Sequence, residues 1–416
     1  MWDLIVIGGG AAGLWAAGSA AARGANVLVL EKNRKAGVKI LMSGGTRCNI
    51  THHCDIDGIV AAFGKQGRFL KPALHELPPE AVVAEVNRWG VATKVEDSGK
   101  VFPVSDSAVD VRDALVRRLT EAGAQLQTGV AVADVQHTEQ SLWSVQTDAE
   151  QLLARKVLLC CGGLSYAGCG TTGDGYAWAL RAGHTLVETY PALTPLLSPA
   201  AWVHELTGIT LPDVEARIID GPKKNKDPRA TSRGGFLWTH FGCSGPVPMN
   251  VSRFVSSAAE PHKAILQIDL VPDLSELQLG TMFDATLGGR KSVAAALQPL
   301  VPRNMAACLL KRAHVIEAAP LAELPRAARL RLIEDLKRLQ VPLSGTRGYP
   351  KAEVTAGGVS TKEVNPHTME SRVAPGLYLA GEILDVDGPI GGFNFQAAFS
   401  TGHMAALHIS ASLKQS

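Results

Sequence analysis

The sequence of 416 residues has no Cys-x-x-Cys pair, few aromatic residues and no long apolar run. Its seven cysteines are scattered: Cys48, Cys54, Cys160, Cys161, Cys169, Cys243 and Cys308. An odd count at such spacings builds neither a disulfide framework nor a zinc site. Reduced thiols in a cytoplasmic protein, without a metal, are the expectation. No stretch of 18 uninterrupted apolar residues occurs, so no membrane span is expected. The apolar N-terminus lacks a positive leader and is broken by Gly8-Gly9-Gly10, so no signal peptide is expected. An excess of one charge is also missing. Lys+Arg number 41 against 39 Asp+Glu, a net +2, which excludes a polybasic coat but not a local basic face.

What is present points to a folded enzyme-sized chain. Hydrophobic residues make up 46% and charged residues 19%, which excludes disorder and allows a large core. The length suggests two or three domains. The 42 glycines favour many close backbone approaches.

Asp3 to Ile7 reads as a buried parallel strand, Ala11 to Arg23 as a helix and Asn26 to Leu30 as a second buried strand. Together they form a βαβ unit. Residues 32–55 read as a long functional loop. Residues 79–90 and 107–123 read as helices, 125–135 and 141–148 as a small antiparallel ribbon, and Lys156 to Cys161 as another buried strand. From about residue 190 prolines multiply, and Val214 to Ile219 and Ala264 to Leu270 suggest β structure. Residues 290–340 have helical spacing; after Val354 the glycine-rich texture returns and runs into a helix at 395–412. The expected fold is α/β, with a discontinuous nucleotide-binding domain (1–190 and 351–416). An inserted β-rich and helical domain (191–350, its helical part about 285–342) separates the halves.

Gly8-Gly9-Gly10-Ala11-Ala12-Gly13 fits G-x-G-x-x-G, follows a strand and opens a helix. Gly8 permits the tight turn, Gly10 the approach of a pyrophosphate, and Gly13 close packing of helix on strand. Phosphates then meet free N–H groups and the positive end of the helix dipole. Glu31, 18 residues after Gly13, is placed to accept from a ribose 2′-OH and to repel a 2′-phosphate. A second glycine motif, Ala380-Gly381-Glu382, lies about 370 residues later behind the apolar run Gly376 to Leu379. Contacts so far apart suit the extended FAD better than NAD.

In these residues and in further motif blocks, the chain resembles the BaiN/RdsA-type NAD(P)/FAD-dependent oxidoreductases, a family of bacterial flavoproteins. The likeness runs over nearly the whole chain in ordered blocks: Gly8 to Gly13, Lys39 to Asn49, Gly162 to Tyr166, and Gly173 to Tyr176. It continues through Thr239 to Pro246, Gly357 to Val359, Gly381 to Gly388 and Gly391 to Asn394. The resemblance implies a discontinuous FAD domain with an inserted β-rich domain and a helical piece. It also implies FAD as cofactor and reduction of carbon–carbon double bonds, with a steroid enone linked to one branch and uridine of ribosomal RNA, giving dihydrouridine, to another. The chain departs from the family at Thr46, where glycine is usual, at His52, at Cys160-Cys161 and at Cys243.

The residues expected at the cofactor are Gly8, Gly10, Ala12, Gly13, Glu31 and Lys32; Lys39, Ser43, Gly44, Gly45, Arg47 and Asn49; and Val130, Gly162 and Gly163. The C-terminal set is Gly381, Glu382, Gly391, Gly392, Phe393 and Asn394. Glu382 is expected at the ribitol, and the helix after Gly391-Gly392 at the N1/O2 edge of the flavin, where its dipole stabilises negative charge. Lys39 and Arg47 are expected to neutralise phosphate. Hydride addition to a C=C bond also needs a proton donor, and the candidates are Cys48, Tyr166, His240 and Cys243. Arg47 is expected to lower the pKa of Cys48. Substrate contacts are expected from Arg47, Ser244 and Arg347. Only one dinucleotide fingerprint is visible, so NADH or NADPH is expected to reduce the flavin transiently.

Residues 303–351 hold ten Lys/Arg against four acids, and Lys223, Lys224, Lys226, Arg229 and Arg233 form a second cluster. Such a face suits RNA phosphates, and equally a solvated helix. Ribosomal RNA is the preferred substrate. The alternatives are a small-molecule enone reductase and a flavin-binding sensor without turnover.

Overall fold

Strands β1 (Trp2–Ile7) and β2 (Val27–Glu31) run parallel, Leu4 facing Val27 and Ile7 facing Leu30. Covered on both faces, they need apolar residues at every position, which is why neither alternates. Helix α1 (Ala11–Ala21) joins them with all but Ala11 buried. Small Ala and Gly all round, rather than one apolar stripe, suit a helix enclosed on every side. The computed structural model describes residues 1–220, 223–224, 227–284 and 291–415, divided into a first unit, 1–190 with 354–416, and a second, 191–353.

In the first unit, helix α2 (Ala108–Glu121) leads to β3 (Gln125–Thr128), which lies parallel to β2. Strands β4 (Val132–His137), β5 (Trp143–Thr147) and β6 (Gln151–Leu159) follow. The sheet order is β3-β2-β1-β6-β5-β4, and β7 (Leu377–Leu379) pairs in parallel with the far end of β6. Helix α3 (Phe393–Gln415) closes the unit against α1. Gly402 permits that approach, because a Cβ there would sit 2.5 Å from the Ala12 carbonyl oxygen. The architecture is a Rossmann-type α/β fold.

The second unit is built on an eight-stranded sheet. Its path runs 339–342, 264–269, 210–220, 231–239, 242–244, 196–197 and 345–346, with 223–224 paired to 210–220. Trp238, Phe236 and Phe283 fill its core with the helices Val293–Leu297, Arg303–Arg312 and Arg326–Arg338. Residues 285–290 of the expected helical part, and Lys226 of the second basic cluster, lie outside the described residues.

Two expectations are corrected. The segment 125–135 is not one strand of a ribbon: Gly129, at φ +75°, breaks it, so that β3 joins the parallel sheet and β4 turns back onto β5. Residues 32–55 are not all loop, since Val38–Met42 forms a helix and Thr51–His52 a short strand beside Lys100–Pro103. No helix among the described residues is long and apolar enough to cross a membrane.

Candidate functional site

The turn between β1 and α1 is fixed by backbone contact. Gly8, at φ +108°, has no room for a Cβ, which would fall 2.5 Å from the Cys160 carbonyl oxygen. A Cβ on Gly13 would fall 2.0 Å from the carbonyl oxygen of Gly8. Gly10 differs: a Cβ there meets nothing within 4 Å. Gly10 is the N-cap of α1, it makes no side-chain cap, and the first turn, which includes Ala12, holds no acid. The helix thus opens onto free space with its first N–H groups uncapped.

Glu31, at the end of β2, is 8% exposed and is used by the chain. Its Oε2 accepts from Gly9 N at 2.8 Å and its Oε1 from Asn33 N and Nδ2, both at 2.8 Å. One lone pair of Oε2 is left for a further donor. Val130 N donates to the Glu31 carbonyl (3.0 Å), and Lys32 pairs with Asp174 (2.6 Å). The β2 end therefore gathers Glu31, Lys32 and Val130 beside the glycine turn.

A polar network ties the loop at 38–49 to the C-terminal block. Lys39 Nζ donates to Glu382 Oε2 (2.6 Å) and to Ser165 Oγ (2.9 Å). Ser165 Oγ and Thr355 N both donate to Glu382 Oε1, at 2.7 and 2.9 Å. Thr355 Oγ1 in turn accepts from Leu164 N (2.8 Å) and Ser165 N (3.0 Å), directly after Gly162-Gly163. Lys39 and Glu382 keep about a quarter of their side-chain surface, 28% and 20%. Ser43 Oγ donates to the Ile40 carbonyl (2.7 Å), and Gly44 and Gly45 turn the loop at positive φ. Thr46 sits at φ +71°, which accounts for the glycine usual there in the resembling family. With its amide oriented to satisfy both ends, Asn49 accepts from Gly392 N (3.0 Å) and donates to the Thr51 carbonyl (3.0 Å). His52 stacks on Phe393 (4.5 Å, 20°) with Nδ1 3.0 Å from the Gly391 carbonyl, and Asn394 Oδ1 accepts from Gly388 N at 2.8 Å. Gly381, at φ +77°, lies against Ala12 of α1.

Arg47 does not join this network. Its guanidinium pairs with Glu96 (2.7 Å) and Asp106 (3.5 Å) and lies 4.0 Å over the Phe102 ring. The expected lowering of the Cys48 pKa is corrected for the same reason. Cys48 has no exposed surface, and burial pushes its thiol up to about 12. A side chain fully covered by the chain itself has no face left for a ligand. Cys243 is likewise fully covered and shifted up by burial. Tyr166 is half-buried and held at φ +60°, a conformation that L-residues rarely adopt, with Thr171 Oγ1 donating to its carbonyl (3.2 Å).

In the second unit, His240 and Arg347 come together around Phe241. Arg347 lies 4.5 Å over that ring, and His240 meets it edge-on at 5.0 Å. Strand 196–197 lies between 242–244 and 345–346, and Ser198 N donates to the Phe241 carbonyl (3.0 Å). His240 and Arg347 are exposed. Ser244 is turned elsewhere, its Oγ 3.8 Å from Met249 Sδ. Part of the basic stretch 303–351 is paired with acids within the fold. Arg312 and Arg331 meet Asp335, Lys337 meets Asp269, and Arg338 meets Glu334 and Glu276. Arg233 pairs with Asp213 and Asp273, and Arg229 with Asp227. Arg303 and Arg326 are exposed, so these pairs reduce the basic face without removing it.

Thr355, Ser165, His52 and Phe241 were not singled out from the sequence. Thr355 had one available signal, its place two residues before the Gly357-Gly358 block. The others lie within or beside the motif blocks.

The family model described as HI0933-like protein Rossmann domain matches residues 2–408. A 3-dehydro-bile acid delta(4,6)-reductase of Clostridium scindens is 32% identical over 408 residues, covering 96% of this chain and 97% of that protein. A ribosomal RNA dihydrouridine synthase of Escherichia coli K12 is 30% identical over 408 residues, covering 97% of each. Among solved structures, a 3-ketosteroid-delta4-(5alpha)-dehydrogenase from Rhodococcus jostii RHA1 superposes with a TM-score of 0.52 at 14% identity, covering 98% of this chain and 96% of that one. At that identity the likeness concerns the fold.

Proposed function

The chain belongs to the HI0933-like Rossmann family, and we propose that it is an FAD-dependent oxidoreductase that reduces a polarised carbon–carbon double bond, with uridine in ribosomal RNA as substrate. The residues present fit the cofactor. The uncapped start of α1, with open space before Gly10, suits a diphosphate, and the remaining lone pair of Glu31 suits a ribose hydroxyl. Val130 and Lys32 border that end; Lys39, Asn49, Gly162, Gly163, Glu382 and Gly391 to Asn394 frame the remainder. When bound, the flavin supplies the hydride for the double bond, and NADH or NADPH is the donor that recharges it.

The chain's own residues do the rest. Lys39, Ser165 and Thr355 hold the Glu382 carboxylate in one orientation. Tyr166 in the first unit and His240 in the second are the candidates for the proton that completes the addition; Cys48 is buried. The candidates for contact with the reacting base lie in the second unit. The observation that carries the RNA reading is Phe241, flanked by Arg347 and His240, because an aromatic face beside a guanidinium suits a nucleobase with its phosphates. A second reading, reduction of a small enone, is favoured by the 32% identity to the bile acid reductase.

The test is anaerobic. The reduced holoenzyme is mixed with an unmodified ribosomal RNA transcript or with a steroid enone, and loss of reduced-flavin absorbance is followed. Oxidation by RNA with dihydrouridine formed supports the proposal. Oxidation by the enone alone establishes the second reading. Failure of both NADH and NADPH to reduce the flavin points to a sensor.

A further inference from the structure

The first unit carries a groove that the cofactor site does not use. Its volume is about 730 Å³, and it runs between the helix Gly67–Glu76 and the later turns of α3. Arg68, Lys71 and His75 project from the first helix, and His367 and His408 stand across from them. The floor is apolar, formed by Met404 and Leu407. Glu76 is the acid on its lining, while Asp57 pairs with Lys71 (2.9 Å) and Glu370 lies 3.9 Å from His408. Arg68 is exposed and, among the described residues, has no acid within ion-pair distance.

This concentration of donors is local. The first unit as a whole holds 21 basic against 24 acidic residues. With Lys71 held by Asp57, and His408 beside Glu370 and Tyr378, the lining donors left for an anion are Arg68, His75 and His367, against Glu76. Met404 lies 11 residues along α3 from Phe393, about 16 Å at the helical rise. A ligand here is displaced from the glycine pair Gly391-Gly392 that frames the proposed cofactor end. A small enone has no use for such a site. A polyanion long enough to extend beyond the reacting base does.

We propose that this groove docks the phosphate backbone of the RNA substrate, with Arg68 and His75 as its principal contacts. The proposal rests on the RNA reading given above. The test uses the full-length holoenzyme and the double substitution Arg68→Glu with His75→Glu, which leaves the Lys71–Asp57 pair in place. Binding of an unmodified ribosomal RNA transcript is measured over a salt series, with FAD content and flavin reduction by NADH or NADPH as controls. The variant is expected to keep both controls, to bind RNA about tenfold or more weakly near 0.1 M salt, and to lose roughly one unit of the salt slope per phosphate contact. Unchanged RNA affinity and slope, with wild-type protein binding RNA, overturn the groove alone. Absence of RNA binding by the wild-type protein overturns the RNA reading and the groove with it.

Discussion

Two glycines of one motif should fail in opposite ways. Gly10 has φ −85° and ψ −168°, open to any residue, and its Cβ would meet nothing within 4 Å. Gly10→Ala should leave the cofactor-free chain as stable as before, or raise stability by about 0.4–1 kcal/mol through the unfolded state. The added methyl occupies the space through which a diphosphate reaches the N–H groups of α1. Losing two charge-assisted hydrogen bonds, each worth about 1.5–3 kcal/mol, amounts to about 3–6 kcal/mol. That corresponds to a Kd for FAD on the order of 10²- to 10⁴-fold higher. Gly13→Ala should do the reverse. Its Cβ would lie 2.0 Å from a backbone oxygen, so the strand–helix turn must open, and stability should fall by about 3 kcal/mol or more before any ligand is considered. The assay is chemical denaturation of the cofactor-free proteins beside FAD titration by flavin fluorescence. Wild-type FAD affinity in Gly10→Ala would refute the placement of the diphosphate at this helix.

Glu382→Gln removes the ion pair to Lys39 and weakens two further hydrogen bonds. The first unit should lose about 1–3 kcal/mol in denaturant unfolding, between the ranges for exposed and buried pairs. Cys48→Ala should keep turnover and its pH profile, and Cys48 should resist thiol reagents in the native protein; a rate loss of a hundredfold would restore it as proton donor. His240→Gln should lower turnover by about 10²- to 10⁴-fold without changing FAD content. His403 accepts from Trp15 Nε1 (3.3 Å), and burial, with Arg23 and Arg118 nearby, lowers its pKa from 6.5 to about 4. The unfolded chain then binds this proton before the native one does. Its contribution, about 3 kcal/mol, is fully present above pH 6.5 and is lost as pH falls towards 4. Melting temperatures of wild type and His403→Gln across that window should converge at low pH.

The βαβ start, the long last helix and the β-rich middle were legible because each rests on local signals: unbroken apolar runs, an alanine-rich stretch bounded by glycine, and alternation. The split of 125–135 was not, because β3 and β4 differ only in which partner each finds, and Gly129 looks like any loop glycine. The glycines of the first turn were legible as a motif. The polar network was not: Lys39–Ser165–Thr355–Glu382 joins positions separated by up to 343 residues. The ion pairs of the basic helices show the same limit from the other side. Arg338 reads as surplus charge until folding brings Glu276 to it.

Synthesis of dihydrouridine in ribosomal RNA by this chain, as proposed, is open to mass spectrometry of ribosomal RNA nucleosides from cells with and without the gene. Dihydrouridine is expected to be lost on deletion, restored by the intact gene and not restored by the Gly10→Ala variant. Unchanged dihydrouridine in the deletion strain, with no other dihydrouridine synthase acting on that RNA, would contradict the proposal.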